Sequence, residues 1–355
     1  QETLRAADIQ NTGNDKQSNN GTYLLNNLIG EENYPISSLF TYEFNRNDAS
    51  TVSHSGQTDR LGMANEIHSA FQEETQTRDA IKNMYLNTNA SFPSGLSYTS
   101  GKQIWEKLGY SNSGEDTDIQ ADFQEYLDDF HDVVTNHSAK WANNTTATLG
   151  VPGVLVDGDD NRKVNAKGLE INQMATKSTI GALSASNAMN YYLVGSFLDT
   201  QDNTAPESGD TNMEHKWDEA FGYCLDPTTK IKKGKEVIVD ILLHKYINKL
   251  GKYDEFEKAF RLGRQAIVDK NYTVRDEQAT ILKGLIADVL IQKSKDYVNA
   301  GRAALATNSG ALNGAAAHDL SEGYGFIYSL QFIAHVPGKS YTRAQVEDML
   351  DILTK

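Results

Sequence analysis

The sequence has few cysteines, few prolines and no long apolar run, and each shortage excludes a class of protein. The single cysteine, Cys224, excludes an internal disulfide and a zinc site built from several cysteines. Six prolines in 355 residues leave room for long helices, because proline disrupts a helix interior. No apolar run is long enough for a membrane helix, so we expect no transmembrane span in this chain.

Basic residues are outnumbered by acidic ones, 33 to 48, which gives a formal net charge of −15. Acidity of this size repels the phosphate backbone, so we expect no nucleic-acid partner. The same acidity would suit a protein that binds cations. A solvated acidic surface is the favoured explanation, so the charge alone assigns no ligand.

The first 33 residues differ in composition from the rest of the chain. They are rich in Asn, Gln, Gly, Ser and Thr and cannot bury enough apolar surface to order themselves. We therefore predict a flexible tether at 1–33 and a helical domain at 34–355. The chain begins at Gln1 without a methionine, which suggests processing. We expect secretion to the periplasm or outer surface, with a lipid anchor upstream of residue 1.

The hydrophobic spacing predicts an all-α fold. Apolar residues recur every three or four positions, which is the spacing of amphipathic helices. The predicted helices cover about 58–71, 78–86, 102–108, 116–142, 168–198, 234–250, 253–269, 274–300, 315–334 and 342–353, and a further helix begins near Met213. Residues 150–168 break the pattern, since two β-like runs flank the turn-forming 157–161, and we predict a small hairpin there.

A short motif occurs twice in the second half of the chain. Residues 215–223 read H-K-W-D-E-A-F-G-Y, and residues 318–326 read H-D-L-S-E-G-Y-G-F. His, Glu and Gly coincide at positions one, five and eight, aromatic residues stand at seven and nine, and position six is small. The repeat indicates a shared origin. We therefore predict two helical bundles with approximate two-fold pseudo-symmetry.

Positions one, five and eight lie on one face of a helix, so each motif forms a stripe. The two stripes are His215, Glu219 and Gly222, and His318, Glu322 and Gly325. A glycine on the stripe allows another helix to approach closely, at a cost of about 1 kcal/mol relative to alanine.

If the two stripes face each other, they form one shared site of two imidazoles and two carboxylates. Such a set suits iron, zinc or another divalent metal, with His215, Glu219, His318 and Glu322 as ligands. We expect Asp218 and Glu170 as further polar neighbours. An alternative stays open: a His and a Glu four residues apart can simply pair and fix a helix locally.

Four segments resemble an uncharacterised bacterial surface-lipoprotein family. They are S-G-Q-T-D-R-L at 55–61, A-K-G-L-E-I-N-Q at 166–173, the first motif, and L-S-E-G-Y-G-F-I-Y-S-L at 320–330. The resemblance covers most of the chain from about Tyr34. That family in turn looks like a relative of the imelysin-like proteins, which are pseudo-symmetric helical bundles associated with iron uptake and carry G-x-H-x-x-E.

The match to the imelysin-like motif is partial. His215 corresponds to its histidine, but Asp218 stands where the motif has Glu, and Met213 stands where it has Gly. Ser321 occupies the corresponding acidic position after His318. These departures leave the ligand set that the resemblance implies incomplete.

The sequence favours a non-enzymatic binding protein of the cell envelope, with iron or another divalent metal as a candidate ligand and an envelope protein as a candidate partner. A metal-dependent hydrolase or peptidase is one alternative, although no H-E-x-x-H or G-x-S-x-G motif is present. A surface interaction module without a small ligand is another.

Overall fold

The computed structural model describes residues 42–225 and 242–354, together with the backbone of two strands between them. The predicted tether at 1–33 lies outside the described residues. The helices are α1 (Ser55–Ala70), α2 (Arg78–Leu86), α3 (Thr117–Asn136), α4 (Ser138–Ala142), α5 (Ile171–Thr179), α6 (Gly195–Leu198), α7 (Asn212–Leu225), α8 (Leu243–Lys249), α9 (Tyr253–Val268), α10 (Tyr272–Thr307), α11 (Gly314–Ser329) and α12 (Arg343–Thr354). Single 3₁₀ turns lie at Trp105–Lys107 and Leu330–Ile333.

The protein is mostly helical, which confirms the predicted class. The strands of the described chain form three antiparallel pairs: β1 (Asn45–Arg46) with β2 (Ala49–Ser50), β3 (Gly153–Asp157) with β4 (Asp160–Val164), and β5 (Thr228–Lys232) with β6 (Lys235–Val239). The β3–β4 pair is the hairpin predicted within 150–168, with Val154 opposite Lys163. Its turn contains Gly158 at φ +59°, a left-handed conformation that glycine adopts without strain.

Several predicted helix boundaries are wrong, and the short helix predicted over 102–108 is only a 3₁₀ turn at Trp105–Lys107. The helix predicted over 234–250 begins at Leu243, and Lys235–Val239 is a strand. Val237, Ile238 and Val239 are β-branched, which favours extended chain over helix. The long helix α10 also continues through Thr307 into a stretch predicted to be a loop, because its alanines are strong helix formers.

A central helical segment runs from Ile171 to Tyr192 and widens along its length. After α5 it continues as two π-helical stretches, Ile180–Ala185 and Ala188–Tyr192. The Ser329 hydroxyl accepts from the Gly181 N–H (3.1 Å), and its one hydrogen is shared between the carbonyls of Lys177 (3.0 Å) and Gly325 (2.8 Å). An α-helix would bond the Gly181 N–H to the Lys177 carbonyl, so the inserted hydroxyl accounts for the widening.

Two carbonyls of the widened turns accept hydrogen bonds from a neighbouring loop. The Gly109 N–H donates to the Ala182 carbonyl at 2.7 Å, and the Asn112 N–H donates to the Asn190 carbonyl at 2.7 Å. The backbone groups freed by the π geometry are thus satisfied by the chain just before α3.

Both motif helices pack on this central segment, at different levels. The helix of the second motif, α11, packs along α5. The helix of the first motif, α7, packs against the π-helical stretch at Ala188–Tyr192 and against α1 and α9. This arrangement decides which side chains can meet.

Candidate functional site

The start of α7 is fixed by reciprocal capping. The Glu214 N–H donates to the Thr211 hydroxyl (3.1 Å), and the Thr211 N–H donates to the Glu214 carboxylate (2.7 Å). This capping box satisfies two N–H groups that the first turn of a helix leaves without partners. It also brings the Glu214 carboxylate into the core.

A buried charge network surrounds that carboxylate. Arg264, on α9, pairs with Glu214 (2.9 Å) and with Asp218 (3.0 Å), and all three side chains are fully buried. Arg46 also pairs with Glu214 (2.9 Å), and the Tyr42 hydroxyl donates to Asp218 (2.5 Å). Burial raises the pKa of Asp218 to about 6, although Arg264 opposes the shift. The network ties residues 42–46 to α7 and α9.

The first motif's histidine and glutamate lie outside this network, nearer the surface. His215 Nδ1 is 3.0 Å from Asp210 Oδ2, and its Nε2 is 3.8 Å from Glu219 Oε1. Glu219 also accepts from the Lys216 ammonium (2.7 Å) and from the Gln57 amide (3.2 Å). His215 therefore has a carboxylate at each ring nitrogen.

The second motif's histidine makes a similar contact with a different partner. His318 Nδ1 is 2.6 Å from Glu170 Oε2, and Glu170 immediately precedes α5. Burial lowers the pKa of His318, but the hydrogen bond and charge of Glu170 outweigh it, so the pKa is raised. His318 is 23% exposed, so solvent reaches this pair.

The second motif's glutamate is paired with a buried lysine. Glu322 lies 3.0 Å from the ammonium of Lys177, which is 3% exposed, and also hydrogen-bonds Tyr297. Burial raises the pKa of Glu322, but Lys177 and Tyr297 outweigh it and lower the pKa. Burial lowers the pKa of Lys177.

Sequence reasoning missed Lys177, and a signal for it existed. Lys177 is the single charged residue between Glu170 and Asp199 in the sequence. A lone charge in an otherwise uncharged core helix needs a buried partner, because an unpaired charge in the interior is costly. That argument could have linked Lys177 to a carboxylate of another helix.

The two motif glycines each lie against a neighbouring helix. A Cβ added at Gly222 would stand 2.7 Å from His54 Cβ and 3.1 Å from Gln57 Cβ, at the start of α1. A Cβ at Gly325 would stand 2.4 Å from Lys177 Cβ, on α5. The close contacts are therefore to α1 and α5, and not between the two motif helices as predicted.

The four predicted ligands are not gathered into one metal site. All four are described, yet residues 42–225 and 242–354 contain no group of three or more His, Cys, Asp or Glu side chains that could hold a metal ion. The physical reason is the packing of α7 and α11 at different levels of the central segment. In addition, each motif glutamate holds a lysine. Of the expected neighbours, Glu170 pairs with His318, whereas Asp218 belongs to the buried network.

The described residues also bear on the expected absence of a membrane helix and on the environment of the single cysteine. Every helix that the structure describes is too short or too polar to cross a membrane. Cys224 is buried, and burial raises the pKa of its thiol, as suits a packing residue.

Comparison with known proteins identifies one family. A profile of a domain of unknown function, DUF4856, matches residues 40–355. No curated protein and no solved structure is significantly similar to the chain. Because the profile covers all of the described residues, the chain belongs to the DUF4856 family of domains of unknown function.

Proposed function

We propose that the protein is a non-enzymatic binding protein of the cell envelope, and that its two motifs each bind a divalent cation, iron or zinc, separately. The observation that carries the proposal is the pairing of each motif histidine. In both copies Nδ1 meets a carboxylate from outside the motif, Asp210 for His215 and Glu170 for His318. A carboxylate on one ring nitrogen fixes the tautomer that leaves the other nitrogen free to bind metal.

The separation of the ligand atoms fits this proposal in the first motif. His215 Nε2 and Glu219 Oε1 are 3.8 Å apart. Two ligands that each lie about 2 Å from one ion can span that gap. Two protein ligands leave the remaining coordination positions to water, so the proposed sites are open.

The lysines next to the glutamates limit the affinity. Lys216 holds Glu219 at 2.7 Å, and Lys177 holds Glu322 at 3.0 Å. An incoming cation must compete with these ammonium groups, so we expect weak binding. Weak binding at two places distinguishes this proposal from the single shared site predicted from the sequence.

The test is the stoichiometry of binding by isothermal titration with Zn²⁺ and, under nitrogen, Fe²⁺. We expect two ions per chain, and His215→Ala and His318→Ala should each remove one. The exposed His335 provides a matched control, because His335→Ala should remove none. Absence of binding, or loss of the same single ion in both variants, would contradict two separate sites.

We also infer that the two copies derive from a duplicated unit with an approximate two-fold relation. Position three supports this inference independently of the residues used to find the repeat. Trp217 packs against Gly263, and Leu320, its counterpart 103 residues later, packs against Gly301. The likeness to imelysin-like proteins extends this to a role in iron uptake.

Placement in the envelope is supported by the polar composition of 1–33 and by the resemblance to surface lipoproteins. Cell fractionation with an antibody to the purified domain tests it. Recovery with the membrane or periplasmic fraction is expected, and a lipid anchor would require detergent for release. Recovery with the cytosolic marker would contradict the placement.

A surface interaction module is the second candidate, and one groove favours it. A groove of about 480 Å³ between α10, α11 and α12 is mostly apolar, and Ile352 at its rim is 77% exposed. If no ion binds, this groove becomes the better-supported functional surface. A hydrolase would instead show chelator-sensitive turnover that is lost in His215→Ala, because an open coordination position can activate water.

A further inference from the structure

Four lysines surround one buried aromatic ring. The ammonium nitrogens of Lys177, Lys245, Lys249 and Lys293 lie 5.7, 5.8, 5.7 and 6.0 Å from the centroid of the Tyr246 ring. Tyr246 itself is fully buried. The lysines come from three helices, α5, α8 and α10, so the fold concentrates them at one place.

The charges of this lysine cluster do not balance. Lys177 pairs with Glu322 (3.0 Å), and Lys293 pairs with Asp296 (2.7 Å). Lys245 and Lys249 make no ion pair within the described part of the chain. Among the residues that the structure describes, two positive charges therefore remain in excess, in a chain whose formal net charge is −15.

Neighbouring groups respond to this positive charge. Burial lowers the pKa of Lys177, Glu322 opposes that shift, and the charges of Lys245 and Lys249 add a smaller lowering. Burial and then Lys177 lower the pKa of His68 to about 4. The part of these shifts that the lysine charges cause indicates a positive local potential, which attracts anions.

We propose that Lys245 and Lys249 bind a phosphate group at the surface above Tyr246. The two lysines are one helical turn apart on α8, so both ammonium groups lie on one face and can reach oxygens of one anion. A phosphate carries up to two negative charges, which match the two lysines that have no ion pair among the described residues. Lysine binds phosphate as a point charge and needs no planar partner. Lys177 and Lys293 stay paired with their carboxylates and contribute to the local potential.

The proposed phosphate ligands, Lys245 and Lys249, belong to neither motif, and the site adjoins the second motif only through Lys177, which pairs with Glu322. Binding is measured by isothermal titration with inorganic phosphate at pH 7, against chloride at the same ionic strength. We expect saturable binding that weakens by at least about tenfold in the double variant Lys245→Met/Lys249→Met. Lys249→Arg should retain it, because the charge is kept. Lys295→Met, which removes an exposed lysine from α10, should leave the affinity unchanged.

A second arm distinguishes free phosphate from a phosphate headgroup. Co-sedimentation with vesicles that contain phosphatidic acid, compared with phosphatidylcholine vesicles, measures headgroup binding. Loss of either response in the double variant supports the site and identifies the source. Responses to phosphate and vesicles that are equal in wild type and double variant, or no response above chloride and phosphatidylcholine, would overturn the proposal. Because the readout is phosphate and not metal, this failure is distinguishable from failure of cation binding.

Discussion

The two copies of the motif share their packing but differ in the charges around them. In both, position three packs on a glycine of another helix, and the motif glycine packs on a helix of the first half. In the first copy, position four is Asp218, which joins a fully buried arginine network. In the second copy, position four is Ser321, whose hydroxyl accepts from the Glu170 N–H (2.8 Å).

This difference separates an architectural part of the motif from a variable part. The contacts that both copies keep are those of close helix packing, which tolerates little change in side-chain volume. The polar partners have diverged: in the first copy, position four joins buried arginines and carboxylates, whereas in the second copy Glu322 pairs with the buried Lys177 and His318 pairs with Glu170. We therefore expect substitutions in the buried arginine network beside the first copy to act mainly on stability, and substitutions of the motif histidines to act on ligand binding.

Removing Arg264 should have the largest effect. Arg264→Met leaves Glu214 and Asp218 buried, and Asp218 then has no ion-pair partner among the described residues. The substitution should lower the free energy of unfolding by about 3–5 kcal/mol. Urea denaturation followed by circular dichroism measures the change. Arg162→Met is the control, because its ion pairs on the β3–β4 hairpin are partly exposed and should contribute less than about 1 kcal/mol.

A loss below about 1 kcal/mol for Arg264→Met would show that the network does not stabilise the first copy. The first copy would then be stabilised by packing alone. The double variant Arg264→Met/Asp218→Asn tests whether the loss arises from an uncompensated carboxylate. If it does, the double variant should lose less unfolding free energy than the sum of the losses of the single variants.

The motif glycines should rank next. Gly325→Ala places a Cβ 2.4 Å from Lys177 Cβ and 2.7 Å from the Ser178 backbone nitrogen, so backbone must move. Gly222→Ala meets the Cβ atoms of His54 and Gln57 at 2.7 and 3.1 Å. We expect losses of about 2–3 kcal/mol for Gly325→Ala and about 1–2 kcal/mol for Gly222→Ala, measured by chemical denaturation.

Gly284 is the matched control for both glycines. It lies inside α10, and nothing stands within 4 Å of a Cβ added there. Gly284→Ala should therefore stabilise the protein by about 0.5–1 kcal/mol through helix propensity. If all three substitutions stabilise, the motif glycines do not mark close contacts.

The sequence supplied the helical class and the β3–β4 hairpin because both depend on local patterns. Apolar spacing predicted α3 and α9, and turn residues predicted the hairpin, without knowledge of the tertiary fold. The π-helical widening could not be predicted, because it depends on Ser329 inserting from 148 residues away. The helix propensity of the residues near Gly181 does not depend on such a distant contact.

The partners of the motif residues could not be predicted from the sequence, for the same reason. The pairing of His318 with Glu170 and of Glu322 with Lys177 depends on how α11 lies against α5. The stripe of His, Glu and Gly is compatible with several partners, and the repeat alone suggested that the stripes face each other. The motif glycines instead packed on α1 and α5, which fixed a different arrangement.

The smallest expected effect is a pH dependence specific to the second copy. His68 Nδ1 lies 2.8 Å from the Thr176 hydroxyl, and burial followed by Lys177 lowers its pKa from 6.5 to about 4. Between pH 6.5 and 4 the unfolded chain therefore binds a proton at His68 that the folded chain does not. Stability conferred by neutral His68 is present above pH 6.5 and is lost as the pH falls toward 4.

Substituting His68 should remove that part of the acid sensitivity. His68→Gln keeps a polar partner for Thr176 but cannot titrate, so the fall in unfolding free energy from pH 6.5 to 4.5 should shrink by on the order of 1–2 kcal/mol. The exposed His131 is the control, and His131→Gln should leave the profile unchanged. The range stops at pH 4.5 because Glu322, Lys177 and Lys245 also act on His68 and Glu322 itself titrates at lower pH. An unchanged slope in His68→Gln would mean that the lysines do not disfavour protonation of His68. The two copies would then not differ in this electrostatic effect.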